Sequence, residues 1–254
     1  MIFFFSGTGN SRWVAETVAR EFNETLIYIP DAIRKGEYSY TLQQDEKLGF
    51  IFPCYAWGVP VFILEFISKL QISHVDYLYY IATCGDDTGL LRQEFTRLVE
   101  SKGWECNLAY EIMMPESYVN LPGFDVDPKD KEQRKIVGAR QKLQSAIGDI
   151  TDRRHGCFHT LPGIFPWTKS IVLGGVFHRW LMTPKYFHTN SQCIGCGECV
   201  EQCPMHNIKL TDGRPEWGTA CVICMRCYHS RVAHAIEWGR FTKHKGQYLY
   251  KSKL

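Results

Sequence analysis

What this 254-residue chain leaves out narrows its chemistry before any motif is read. It opens Met1-Ile2-Phe3-Phe4-Phe5 and turns at once, without the basic start and small-residue cleavage site of an export signal. A cytoplasmic location is therefore expected, where eleven cysteines stay reduced and a disulfide framework is not their use. No apolar run reaches the roughly twenty uninterrupted residues that a membrane-crossing helix needs. The phosphate-type turn at residues 6–11 has neither the lysine of a Walker loop nor the glycine spacing of a dinucleotide fingerprint. No nucleic-acid module is spelled out, no internal repeat occurs beyond two cysteine runs, and no matched general acid and base stands around the loops.

Acidic residues are scarce in the second half. Residues 1–150 hold 15 Lys/Arg and 21 Asp/Glu, and residues 151–254 hold 14 and 6. Nucleic-acid binding is one use of a basic half, but thiolates bound to metal offset much of that charge, so the expectation is no nucleic acid. The remaining charge suits attraction to the acidic first half or to an acidic redox partner protein.

The cysteines are what is present. The first run reads Cys193-Ile-Gly-Cys196-Gly-Glu-Cys199-Val-Glu-Gln-Cys203-Pro204, and the second reads Cys221-Val-Ile-Cys224-Met-Arg-Cys227-Tyr-His-Ser-Arg231-Val232. Three equally spaced cysteines on one tight loop are a grip for a cubane iron–sulfur cluster, whose fourth thiolate comes from elsewhere. Structural zinc is the rival use of paired C-x-x-C units, but it takes two close cysteines from each of two knuckles, and the Cys-Pro ending belongs to clusters. In the second run Arg231 and Val232 stand where a fourth cysteine and its proline are due. An arginine cannot donate a ligand to iron.

The amino end carries a separate pattern. A short apolar strand leads into Ser6-Gly7-Thr8-Gly9-Asn10-Ser11 and then an amphipathic helix over residues 13–22. Glycines let backbone close round a phosphate, hydroxyls donate to its oxygens, and a helix start adds free amides. A buried strand over 47–52 runs into Pro53-Cys54-Tyr55-Ala56-Trp57-Gly58, and another over 77–83 into Cys84-Gly85-Asp86-Asp87-Thr88-Gly89 ahead of a helix over 90–102. A fifth strand is expected over 106–114 and a charged-faced helix over 127–149. Strand ends of an open doubly wound sheet are where a ligand sits.

Ser6 to Ser11 resembles the flavodoxin phosphate loop, Pro53, Tyr55, Ala56, Trp57 and Gly58 its ring-stacking loop, and Cys84, Gly85 and Asp86 its third flavin loop. The chain as a whole resembles flavodoxin-like domains fused to a bacterial-type two-cluster ferredoxin, the EFR-type ferredoxins, over residues 1–150 and 187–240. The resemblance implies a doubly wound parallel five-stranded sheet of order 2-1-3-4-5 binding FMN. An apolar connector (151–186), a small α+β ferredoxin-like domain (187–240) and a basic tail (241–254) follow. It implies one complete [4Fe-4S] site at Cys203, Cys221, Cys224 and Cys227. Cys193, Cys196 and Cys199 are left with three thiolates, for a second [4Fe-4S] cluster, a [3Fe-4S] cluster or none. Water or hydroxide, His229, Ser230 and Cys157 are candidates for the open corner. The implied function is electron transfer between FMN and cluster in anaerobic metabolism. Direct oxidoreduction of a small molecule and redox sensing are the alternatives.

Overall fold

Runs such as Ile2–Phe4 and Leu48–Pro53 are apolar at nearly every position, the pattern of strands covered on both faces. A computed structural model describes residues 1–230 and 234–251. Arg231 and Val232, on which the incomplete second cysteine run rests, lie outside the described residues. The first 160 residues form the strands β1 (Ile2–Phe4), β2 (Leu26–Tyr28), β3 (Ser39–Thr41), β4 (Leu48–Pro53), β5 (Gln71–Ser73), β6 (Leu78–Cys84), β7 (Cys106–Met113) and β8 (Cys157–His159). Between them run α1 (Asn10–Phe22), α2 (Ile29–Lys35), α3 (Val61–Lys69), α4 (Leu91–Ser101) and α5 (Lys129–Thr151).

Six strands form one sheet of order β2-β1-β4-β6-β7-β8, and every neighbouring pair is parallel. The fold is a mixed α/β one with a central parallel sheet, but the expected five-stranded sheet is corrected to six strands and its order extended. The sixth strand, β8, comes from the segment expected to be a connector, pairing Leu108 with Cys157 and Tyr110 with His159. A separate parallel pair, β3 with β5, stands outside the main sheet. Because side chains alternate along a strand, Phe3, Phe50, Phe52 and Tyr80 face one core with α3 and α4. Ile2, Phe4, Ile51 and Tyr79 face the other with α1 and α5.

Residues 168–181 wind into a helix with two wide π-type segments, Thr168–Leu173 and Phe177–Leu181, around the short turn Gly174–Val176. The cysteine-rich unit follows, with β9 (Phe187–Thr189) antiparallel to β12 (Ile236–Trp238) and a hairpin of β10 (Ile208–Thr211) and β11 (Arg214–Trp217). Its own core gathers Phe187, Ile208, Tyr228 and Trp238. The end of the chain returns to the first unit, where the Tyr250 amide donates to the Thr8 carbonyl at 2.8 Å and the Tyr248 hydroxyl to Asn10 Oδ1 at 2.8 Å. Among the described residues no helix is long and apolar enough to cross a membrane.

Candidate functional site

The ends of β1, β4 and β6 open on one cavity of about 400 Å³. Ser6, Gly7, Thr8, Asn10 and Ser11 line it from the first loop, Pro53, Tyr55, Ala56 and Trp57 from the second, and Cys84, Gly85 and Asp86 from the third. Gly9 and Gly58, also expected at the site, shape their turns without lining it. Gly9 takes φ 100° at the start of α1, a conformation open to glycine, and its amide donates to Ser6 Oγ at 3.1 Å.

Some expected contacts are spent inside the protein. Asn10 Nδ2 donates to the Pro115 carbonyl at 3.1 Å while its Oδ1 accepts from Tyr248. The Ser11 hydroxyl is bonded to that of Thr83 at 2.8 Å, tying α1 to the end of β6. Both side chains hold the loop in shape, and the Thr8 hydroxyl donates to Ser117 Oγ at 3.3 Å.

The second loop is a two-residue turn closed by reciprocal backbone bonds of 3.0 Å between Tyr55 and Gly58. Its central residues, Ala56 at φ 47° and Trp57 at φ 59°, are both left-handed, which this turn type demands and non-glycine residues resist. The surroundings hold the strain. Ser170 Oγ donates to the Trp57 carbonyl at 2.8 Å, and the Val59 amide donates to Glu94 at 2.7 Å. Trp57 meets Phe177 edge to face at 5.6 Å.

Several walls were invisible in the sequence. Lys169 and Phe177 reach the cavity from the 168–181 segment, Met182 from just beyond it, and Glu116, Ser117 and Tyr118 from the loop after β7. Asp87 lines it too: Oδ2 pairs with Lys169, and Oδ1, buried, has no hydrogen-bond partner among the described residues. In the sequence Asp87 stands in the third strand-end loop, where a helix-start acid is the reading preferred over a ligand contact. Burial raises the Glu116 carboxyl above its usual range, against backbone amides of Tyr118 and Ser117 that hold it down.

The most consequential wall is Ile223, Cys224 and Met225, the middle of the second cysteine run. A Cβ on Gly7 would lie 2.6 Å from the Cys224 carbonyl oxygen, so the two loops meet backbone to backbone. Val222 and Cys224 pack against the core of the first unit, beside Tyr28 and Tyr55. Arg226 clasps the same seam, donating to Gln202 Oε1 at 2.7 and 3.1 Å and to the Gly7 carbonyl at 3.4 Å.

Both cysteine runs wind alike. Left-handed backbone falls two and four residues after the first cysteine in each: Gly195 (φ 69°) and Gly197 (φ 78°), then Ile223 (φ 50°) and Met225 (φ 55°). Glycine accepts this freely, whereas the second run carries the strain on two bulky side chains. No disulfide joins any two of the eleven cysteines. Burial pushes the Cys224 thiol up to about 12 and Cys221 up to about 11, with the charge of Cys203 adding to both. Cys227 is raised by burial and by the charges of Cys224, Cys221 and Cys203. Cys221, Cys224 and Cys227, each raised by burial with Cys203 beside them, are a donor set that a cationic iron core relieves. The Asn207 amide donates to Cys203 Sγ at 3.4 Å, the kind of bond that tunes a cluster. No three His, Cys, Asp or Glu side chains among the described residues close on a single ion. A cubane instead spreads its thiolates over four irons.

Of the first run, Cys199 is buried, Cys193 half-buried and Cys196 exposed. His229, a candidate for its open corner, has both ring nitrogens engaged: Nε2 donates to the Ser117 carbonyl at 2.8 Å and Nδ1 accepts from the Tyr248 amide at 3.2 Å. Cys157 sits in β8 and packs against the main-sheet core. Ser230 Oγ is buried with no hydrogen-bond partner among the described residues.

Residues 187–209, spanning the first cysteine run, match the 4Fe-4S binding domain family. No curated protein matches. Among solved structures, the Trp repressor binding protein from Bacillus subtilis is 22% identical over 59% of this chain and 96% of its own, with a TM-score of 0.35. The rubredoxin oxygen:oxidoreductase from the anaerobe Desulfovibrio gigas is 12% identical over 59% of this chain and 36% of its own, with a TM-score of 0.33.

Proposed function

We propose that this chain is an intracellular electron-transfer protein of the fused flavodoxin–ferredoxin, EFR-type class. In this reading FMN occupies the cavity at the strand ends, and an iron–sulfur cluster sits on Cys203, Cys221, Cys224 and Cys227. The observation that carries it is the shared wall: Ile223, Cys224 and Met225 belong both to the cluster-type loop and to the cavity that the three flavin-type loops line.

The residues fit the flavin. The cavity is of the size that small cofactors fill. The first loop offers a phosphate backbone amides and the start of α1, the Tyr55 and Trp57 rings stand for stacking, and the orphaned Oδ1 of Asp87 is an acceptor for a ring N–H. A bound flavin exchanges one or two electrons and a cluster one at a time, so the pair can split or gather electron pairs. The chain's own contribution is positional. Arg226 and Gly7 fix the cysteine loop against the phosphate-type turn, and Phe177, Met182 and Lys169 close the cavity against water.

Rapid anaerobic mixing with reduced methyl viologen tests the relay, comparing the native holoprotein with Cys221→Ser. Flavin reduction about tenfold or more slower in the variant, at equal flavin content, is expected; equal rates would sink the relay.

A further inference from the structure

One face of the 164–181 segment has no use in this account. Ile164 and Phe165 are 73% and 74% exposed, Trp167 62%, Ile171 55% and Trp180 61%, with Val172, Leu173 and Val176 exposed beside them. The opposite face supplies Lys169, Ser170 and Phe177 to the cavity and its second loop. A patch this large on a polar protein's surface marks a contact.

The charge around it selects the partner. From Arg153 to Gly197 there is no Asp or Glu; Lys169 is spent on Asp87 and Arg154 on Asp149 and Asp152, which leaves Arg179 and Lys185 as the basic residues beside the ridge. Arg179 lies over the Trp180 ring at 5.6 Å. Beyond the end of the helix, Lys185, Arg240 and Lys243 outnumber the acidic Glu237 in a groove shared with Leu181 and Tyr186, and Phe241 there is 47% exposed. Large apolar and aromatic side chains project outward here, and cations flank them. A projecting ridge of this kind needs no matching pocket in its partner, only a soft apolar layer under an anionic surface.

We infer that the 164–181 ridge, with Arg179, Lys185, Arg240 and Lys243 around it, seats this protein on the surface of an anionic lipid bilayer. Trp167 and Trp180 lie at the headgroup boundary and the basic side chains face the phosphates. The inference stands apart from the flavin and cluster assignment, since none of these groups needs a cofactor.

Flotation of the full chain with vesicles of phosphatidylglycerol and phosphatidylcholine tests it, against vesicles of phosphatidylcholine alone. Binding to the anionic vesicles that weakens steeply with salt is expected. Arg179→Glu is expected to weaken it about tenfold, and Trp167→Ser with Trp180→Ser to abolish it, with the far-ultraviolet circular dichroism unchanged. Equal binding to neutral vesicles would overturn the anionic-surface assignment. Absence of binding to both, together with a dimer in sedimentation that Ile171→Glu returns to monomer, would give the ridge to a second copy of this chain and overturn the inference altogether.

Discussion

The backbone of Gly7 lies directly against the carbonyl of Cys224, close enough that a Cβ on Gly7 would stand 2.6 Å from that oxygen. A residue of the phosphate-type turn and a residue of the cysteine loop, 217 positions apart, are thus fixed to each other without side chains. Gly7→Ala forces that seam apart. The expected cost is about 1–3 kcal/mol in urea unfolding, the penalty of overpacking a filled site, together with reduced flavin retention.

The bond between Ser11 and Thr83 makes a second expectation with an internal control. Ser11→Ala leaves the buried Thr83 hydroxyl without its partner and is expected to cost about 1–3 kcal/mol. Adding Thr83→Val removes the orphan, so the double variant should recover much of that loss. A double-mutant cycle by chemical denaturation measures it, and strictly additive costs would contradict the assignment.

The tight turn of the second loop separates strain from recognition. Ala56→Gly relieves left-handed backbone and is expected to stabilise by up to about 1 kcal/mol. Trp57→Ala removes a ring from the cavity and should weaken FMN binding about tenfold, read by fluorescence titration of the flavin-free protein.

Asp127 anchors the third loop. It pairs with Lys135 at 2.5 Å and Lys131 at 2.7 Å, accepts the Glu116 amide at 2.8 Å, and Lys135 in turn holds the Gly85 carbonyl at 2.7 Å. Burial works to raise its pKa, but the hydrogen bonds from Lys131 and Lys135 outweigh burial and hold the carboxyl below its usual value. The sign follows from linkage: a depressed folded-state pKa gives stability present above the unfolded value near 3.8 and lost as pH falls through the folded one. Asp127→Asn should flatten that acid limb of the stability profile, with Lys135 left unpaired and a lower stability at neutral pH.

Much of the site was legible in the sequence because its loops are local. Ser6 to Ser11, Pro53 to Gly58 and Cys84 to Asp86 each follow an apolar run that forms a strand, and turn chemistry needs only neighbours. The cysteine spacing was equally local. Other features depended on residues far apart in the chain. Three residues, Cys157–His159, are too few to show a strand period, so nothing in the sequence sets β8 apart from the connector around it. Lys169 and Asp87 become a pair only when the 168–181 helix folds over the cavity. The basic tail gave no sign that Tyr248 and Tyr250 strap the first loop. Nor does any pattern announce that Cys224 would form a wall of the flavin-type cavity, since that contact joins two separately coded units.

The most direct test of the central claim is the quantity of iron, inorganic sulfide and FMN per chain after anaerobic purification. One FMN with about four to eight irons and matching sulfide is predicted, the lower figure if only the Cys203, Cys221, Cys224 and Cys227 site is filled. Zinc without sulfide, or a chain that takes up no FMN when it is supplied, would contradict a flavin and a cluster meeting at the Gly7–Cys224 seam.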